Sequence, residues 1–157
     1  MLKKAIRRLW LLISPDTRAW LVRSTQTSFT VSAAAIISNE KEEVLLLNHV
    51  LRPFSGWGFP GGFLNKGEQA EDAICREIRE EIGIEISHLK LYTIRTIGTH
   101  IEILFFARAE GTPKVGSAEI IDFKWHTARE VPDEVAEPYG REMIERAARH
   151  PNADRAV

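Results

Sequence analysis

The segment that most restricts this chain is Gly56 to Ile84, GWGFPGGFLNKGEQAEDAICREIREEIGI, where clustered glycines give way to a stretch without any. Residues 68–82 hold no Gly, Pro or Thr, and Ala70, Ala73, Ile74, Ile78 and Ile82 give them the pattern of a helix. At about 100° per residue the three isoleucines form one stripe that must be buried, while Glu77, Glu80 and Glu81 gather within roughly 100° on another. A solvated face with an Arg76–Glu80 pair at i, i+4 is the bland reading of that second stripe. It leaves Glu77 and Glu81, like charges also four apart, mutually destabilising, with Glu80 beside them.

A divalent cation reverses that repulsion. Oxygen donors with no cysteine or histidine among them suit Mg2+ or Mn2+ rather than Zn2+. Mg2+ keeps several waters and completes its shell with substrate phosphates, so a sparse carboxylate patch points to a phosphate-bearing substrate. Metal binding is therefore preferred to the solvated face. Two other glycine motifs in the segment fail. Gly56, Gly58 and Gly61 satisfy G-x-G-x-x-G with Glu80 downstream, but Pro60, Gly61 and Gly62 interrupt the helix a dinucleotide fingerprint needs. Gly62 and Gly67 have Walker A spacing, but Glu68 and Gln69 stand where Lys and Ser or Thr are required.

The residues Gly62, Glu68, Arg76, Glu77, Ile78, Glu80, Glu81, Gly83 and Ile84 match G-x5-E-x7-R-E-U-x-E-E-x-G-U, U being apolar, and so resemble the Nudix box of the Nudix hydrolases at every defined position. A chance match is on the order of 10⁻⁹ per starting position at average residue usage. The resemblance implies an α/β/α sandwich with a mixed β-sheet, the box forming a loop–helix–loop metal site. It also implies a Mg2+-dependent hydrolase, with Mn2+ as the alternative metal, in which water attacks phosphorus in a nucleoside diphosphate derivative. Carried over, Glu77, Glu80 and Glu81 are the metal ligands, one of them a candidate base. Arg76 orients a carboxylate through an ion pair, and Glu68 steadies the loop or the groups that surround the metal's ligands. Gly62 and Gly83 are positions where the backbone must turn with little side-chain obstruction, and Gly61 and Gly62 are candidate substrate-binding residues. Nothing calls for a covalent intermediate: there is no G-x-S-x-G elbow, and Cys75 sits at the edge of the apolar stripe.

Substrate choice lies outside the box. His49, Arg52, Trp57, His100, Glu102, Glu119 and Tyr139 are candidates to line the site. Arg52 suits a phosphate or a base edge. Trp57 suits a nucleobase, although a tryptophan beside Phe59 is more often core. Glu119, after the GTPKVGS loop, lies where this family often supplies an extra acidic ligand or base. The absence of proline between Ser87 and Glu110, and of further subclass motifs, leaves a MutT-like enzyme acting on nucleoside triphosphates or nucleotide sugars as the least constrained expectation. The alternative is a catalytically silent, nucleotide-sensing Nudix-like module. The full set of Arg76, Glu77, Glu80 and Glu81 favours the enzyme, and no DNA-binding module accompanies it.

The rest of the chain reads as strands around this helix: Phe29–Ser38 and Val44–Asn48 joined by a polar turn, Leu89–Ile97 with His100–Ala109, and Ile120–His126. Thr127 with Glu130 fits a capping box, and a last helix lies within Pro138–His150. At 157 residues the chain fits one domain, residues 29–157, plus an N-terminal arm, 1–28. Residues 1–30 carry six basic residues and Asp16, a net of +5 that leaves −6 for the remainder of a chain whose formal charge is −1. That overall balance excludes a protein that coats nucleic acid by general basicity. MLKKAIRRLWLLI is too short in its apolar run for a signal peptide or a membrane span, and is amphipathic as a helix. Ser14, Pro15 and Asp16 read as N-cap, N1 and N2 of a second helix. Packing of the arm on its own domain or in a homodimer is preferred here to a peripheral membrane contact or a mobile arm. A lone cysteine and no transmembrane segment suggest the cytoplasm.

Overall fold

The structure is a computed structural model that describes residues 2–52 and 55–149. It forms two compact units that divide between Thr30 and Val31. The first holds helices α1 (Leu2–Leu12) and α2 (Pro15–Ser24). Ser14 caps α2 as its sequence suggests: the Ser14 hydroxyl accepts from the Thr17 N–H at 3.2 Å, and Pro15 occupies the first turn, where its missing N–H costs nothing. Neither arm helix contains a buried residue.

The second unit is built on a seven-stranded sheet. Its strands are β1 (Thr30–Ser38), β2 (Val44–His49), β3 (Trp57–Gly58), β4 (Gly61–Phe63), β5 (Glu85–Ile97), β6 (His100–Glu110) and β7 (Ile120–His126). The main path runs β3-β2-β1-β6-β5, with β4 paired to β1 and β7 to β2. Antiparallel pairing joins β1 to β2 and β4, β2 to β3 and β7, and β5 to β6. Neighbours β1 and β6 run in the same direction, since Ser32 bonds His100 at one end and Arg108 bonds Ser38 and the Asn39 carbonyl at the other, which makes the sheet mixed.

Strand alternation sorts the core into two layers. Ala34, Ile36, Val44, Leu46, Leu104 and Phe106 pack beneath α4 (Asp133–Ala136) and α5 (Arg141–Arg149), which contribute Val135, Ala136, Ile144, Ala147 and Ala148. Their neighbours Ala33, Ala35, Ile37, Leu45, Leu47, Phe105 and Ala107 face α3 (Ala70–Ile82) through Ala73, Ile74, Ile78 and Ile82. The result is the α/β/α sandwich with a mixed sheet that the box implies, and the isoleucine stripe is its buried side.

Local boundaries differ where side chains or tertiary contacts overrule the pattern. The helix expected from Glu68 begins at Ala70, because Glu68 closes a turn with Asn65 instead. The Glu130 carboxylate accepts from the Thr127 N–H at 3.1 Å, half of a capping box, but it also accepts from the Thr127 hydroxyl at 2.9 Å, while the Glu130 N–H bonds the Thr127 carbonyl; the motif closes a turn, and the next helix waits until Asp133. Strand β5 starts at Glu85 rather than Leu89, passing through His88 at φ 52° and a register shift that break its alternation. Glycine-rich β3 and β4 escape a reading based on hydrophobic alternation.

Candidate active site

Helix α3 carries the acidic patch, and three devices hold it in place. The first is Gly83, which ends the helix at φ 66°, a left-handed conformation that glycine adopts without strain. The second is the loop after β6: the N–H groups of Lys114 and Gly116 donate to the carbonyls of Ile82 and Glu81, each at 2.9 Å, closing the orphan acceptors of the last turn. The third is Arg76. Its Nε and Nη2 reach both oxygens of Glu68 at 2.7 and 3.0 Å, Nη2 also donates to the Phe63 carbonyl, and Nη1 donates to Glu77 Oε1 at 2.8 Å and Glu80 Oε2 at 3.2 Å. One guanidinium thus ties the loop before the helix to two carboxylates on it. The Arg76 pair and the Asn65 N–H hold the Glu68 carboxyl down to about 2.

Glu81 is set apart. It is 6% exposed, and its Oε2 is buried without a hydrogen-bond partner. Burial, with the negative charges of Glu77 and Glu119 nearby, pushes its carboxyl up to about 8, although the Gly61 N–H donates to it and Arg52 lowers it. His49 Nδ1 stands 3.8 Å away, beyond hydrogen-bond length. Burial and Arg52 hold that imidazole down to about 4, so it is neutral at pH 7 and gives Glu81 no counter-charge.

Two glycines admit these groups. A Cβ on Gly62 would lie 2.3 Å from the Glu77 carboxyl, so the carboxylate occupies the space a side chain would fill. A Cβ on Gly61, at φ 150°, would meet the Ala33 carbonyl oxygen at 2.3 Å; there the missing side chain lets β4 approach β1. The Arg52 guanidinium lies across Gly58 in the same manner.

The structure therefore brings Glu68, Arg76, Glu77 and Glu80 into one bonded cluster and places Gly61, Arg52, Glu77 and Glu119 around Glu81. Trp57 is half-buried against the core, its ring edge-on to His126 at 6.0 Å. Glu102 is tied to Arg95 at 2.6 Å and to the Tyr139 hydroxyl at 3.1 Å, with Arg95 stacked 4.0 Å over the Tyr139 ring. His100 bonds Ser32. The Cys75 thiol is half-buried and pushed up by burial, the opposite of an activated nucleophile. Sequence reasoning missed Arg95 and the helix-closing role of Lys114 and Gly116. Gly83 and Gly116 were the available signals for the latter.

Among the described residues, no three carboxylates, histidines or cysteines converge on one point at ligating distance. The donor set nonetheless suits a hard cation. Glu81 Oε2 is a buried acceptor with nothing to accept from, Glu77 lies in a space kept open by Gly62, and Arg76 engages one oxygen each of Glu77 and Glu80.

A family model for the NUDIX domain matches residues 28–147. The chain is 28% identical over 122 residues to the human 8-oxo-dGDP phosphatase NUDT18, a match spanning 74% of this chain and 38% of that protein. It is 33% identical over 99 residues to an 8-oxo-dGTP diphosphatase of Proteus vulgaris, covering 56% and 87%. The crystal structure of a MutT NUDIX hydrolase from Burkholderia pseudomallei superposes with a TM-score of 0.62 at 27% identity, covering 74% of this chain and 95% of that one.

Proposed function

From the premise that the chain belongs to the Nudix family, we propose that it is a metal-dependent pyrophosphohydrolase that cleaves the diphosphate linkage of a nucleoside diphosphate derivative by attack of water at phosphorus. The observation that carries this is Glu81: a buried carboxyl group with one oxygen lacking a hydrogen-bond partner and two further carboxylates nearby, whose negative charge outweighs Arg52, is costly to maintain for stability alone.

In this reading Glu77, Glu80 and Glu81 hold Mg2+ or Mn2+. When bound, the metal supplies positive charge to the diphosphate oxygens and lowers the pKa of water. Arg76 acts through the carboxylates it orients and is a positioning residue. Glu68 positions Arg76 in turn. Glu119, on the loop side of Glu81, is the proton acceptor for the attacking water. Arg52 binds a substrate phosphate, helped by Gly61 and Gly62, whose bare backbone leaves room for the diphosphate. Trp57 contributes its exposed edge to the nucleoside.

The chain spans about two fifths of the length of the human relative and most of the bacterial one, and both are named for oxidised guanine nucleotides. Nucleoside triphosphates, 8-oxo-dGTP first among them, are therefore the proposed substrates, with nucleotide sugars next. Product release from such a panel with Mg2+, Mn2+ or chelator tests this. The expected result is metal-dependent turnover of a nucleotide diphosphate bond.

A further inference from the structure

Helix α1 presents a face and a charge pattern that the hydrolytic site does not use. At about 100° per residue Leu2, Ala5, Ile6, Leu9, Trp10 and Leu12 occupy an arc of roughly 160°. Lys3, Lys4, Arg7 and Arg8 share the remaining arc with Leu11. Leu2 is 75%, Leu9 65% and Leu12 82% exposed, and no residue of the helix is buried. Residues 1–13 contain four cations and no acid.

We propose that α1 is an interfacial helix that lays its Leu2, Ile6, Leu9 and Leu12 face on an anionic lipid bilayer, with its four cations among the headgroup phosphates and Trp10 at the boundary between the two arcs. Apolar bulk on one side and unopposed positive charge on the other is the chemistry that binds at such a surface. Eleven residues rise about 16 Å, so the helix can lie in the interface but not cross it. Among the described residues no helix is long and apolar enough to span a membrane. A second copy is a poorer occupant of the same face. Pairing two α1 helices would gather eight cations, with no acid in residues 1–13 of either copy to oppose them.

Flotation of the full chain with phosphatidylcholine vesicles, with and without one third phosphatidylglycerol, tests the proposal. Binding is expected on the anionic vesicles only, and weaker in 1 M salt, where the screening length falls from about 8 Å to about 3 Å. Each cation brought to an anionic surface is worth about fivefold in partitioning, so Arg7→Gln with Arg8→Gln lowers it about 25-fold. Leu9→Ser with Leu12→Ser lowers it more than about tenfold. Thermal melting of both variants, expected unchanged, shows that the domain is intact. The proposal is overturned by equal binding to neutral vesicles, by no binding, or by binding that both variants retain. It is equally overturned if sedimentation shows a dimer that the two leucine substitutions dissociate while vesicle binding is absent, which gives the face to a second copy.

Discussion

At the scale of single residues, the two adjacent glycines of β4 separate function from stability. A methyl group at Gly62 meets only the far end of the Glu77 side chain, which can move, so Gly62→Ala is expected to change stability by less than about 1 kcal/mol. It displaces a proposed metal ligand, and turnover falls by at least about tenfold, equivalent to about 1.4 kcal/mol. Gly61→Ala meets backbone atoms of Ala33 and Ala34 at a positive φ, and is expected to lower stability by about 1–3 kcal/mol in a urea titration. Glu68 provides the pH test. Its folded pKa lies below the ordinary carboxylate value, so its contribution is present above about 4.5 and is lost as pH falls toward about 2. Melting temperature between pH 5 and pH 2 should drop more steeply for the parent than for Glu68→Gln; parallel curves contradict the Arg76–Glu68 clamp. The box residues, their spacing and the repulsion among the glutamates could all be read from the sequence. The burial of Glu81 could not, because the groups that meet its carboxyl, His49 and the Gly61 N–H, are distant in sequence.

Among the elements, α3 was the most legible because one short segment carries both its buried stripe and its charged face. Its closure was not. The N–H groups that satisfy the carbonyls of Glu81 and Ile82 come from a loop some thirty residues later, and backbone donors leave no mark on side-chain pattern. Lys114→Pro removes one of them and is expected to destabilise the domain by about 1 kcal/mol in denaturant titrations, with a loss of turnover because the same turn carries Glu80 and Glu81. The short strands β3 and β4 were illegible for the converse reason: their glycines are there for close approach, and period-two hydrophobicity has no residues to act on. The Thr127–Glu130 motif shows a further limit, since the same residue pair that can cap a helix here closes a turn, with the Thr127 hydroxyl turned onto the carboxylate.

For the molecule as a whole, the sequence carried the sandwich because every central strand has apolar residues on both sides, which demands helices above and below. It also marked the arm as a separate kind of segment by charge, and the structure divides the chain at Thr30 and Val31. The identity of the substrate depends on surfaces that no periodicity encodes. The central claim is that the acidic face of α3 is a hydrolytic metal site. Metal-free Glu81→Gln is expected to melt no lower than the metal-free parent, since burial already favours the neutral carboxyl and the amide is neutral too. It therefore serves as a folded control. The most direct measurement is product release from 8-oxo-dGTP, other nucleoside triphosphates and nucleotide sugars, by parent and Glu81→Gln, with Mg2+, with Mn2+ and with chelator. Turnover that requires metal and falls by at least about a hundredfold, about 2.7 kcal/mol, in the folded variant is the expected result. Turnover that survives Glu81→Gln or chelation, or none with any compound while the parent binds metal by calorimetry, contradicts it and moves the domain toward a nucleotide sensor.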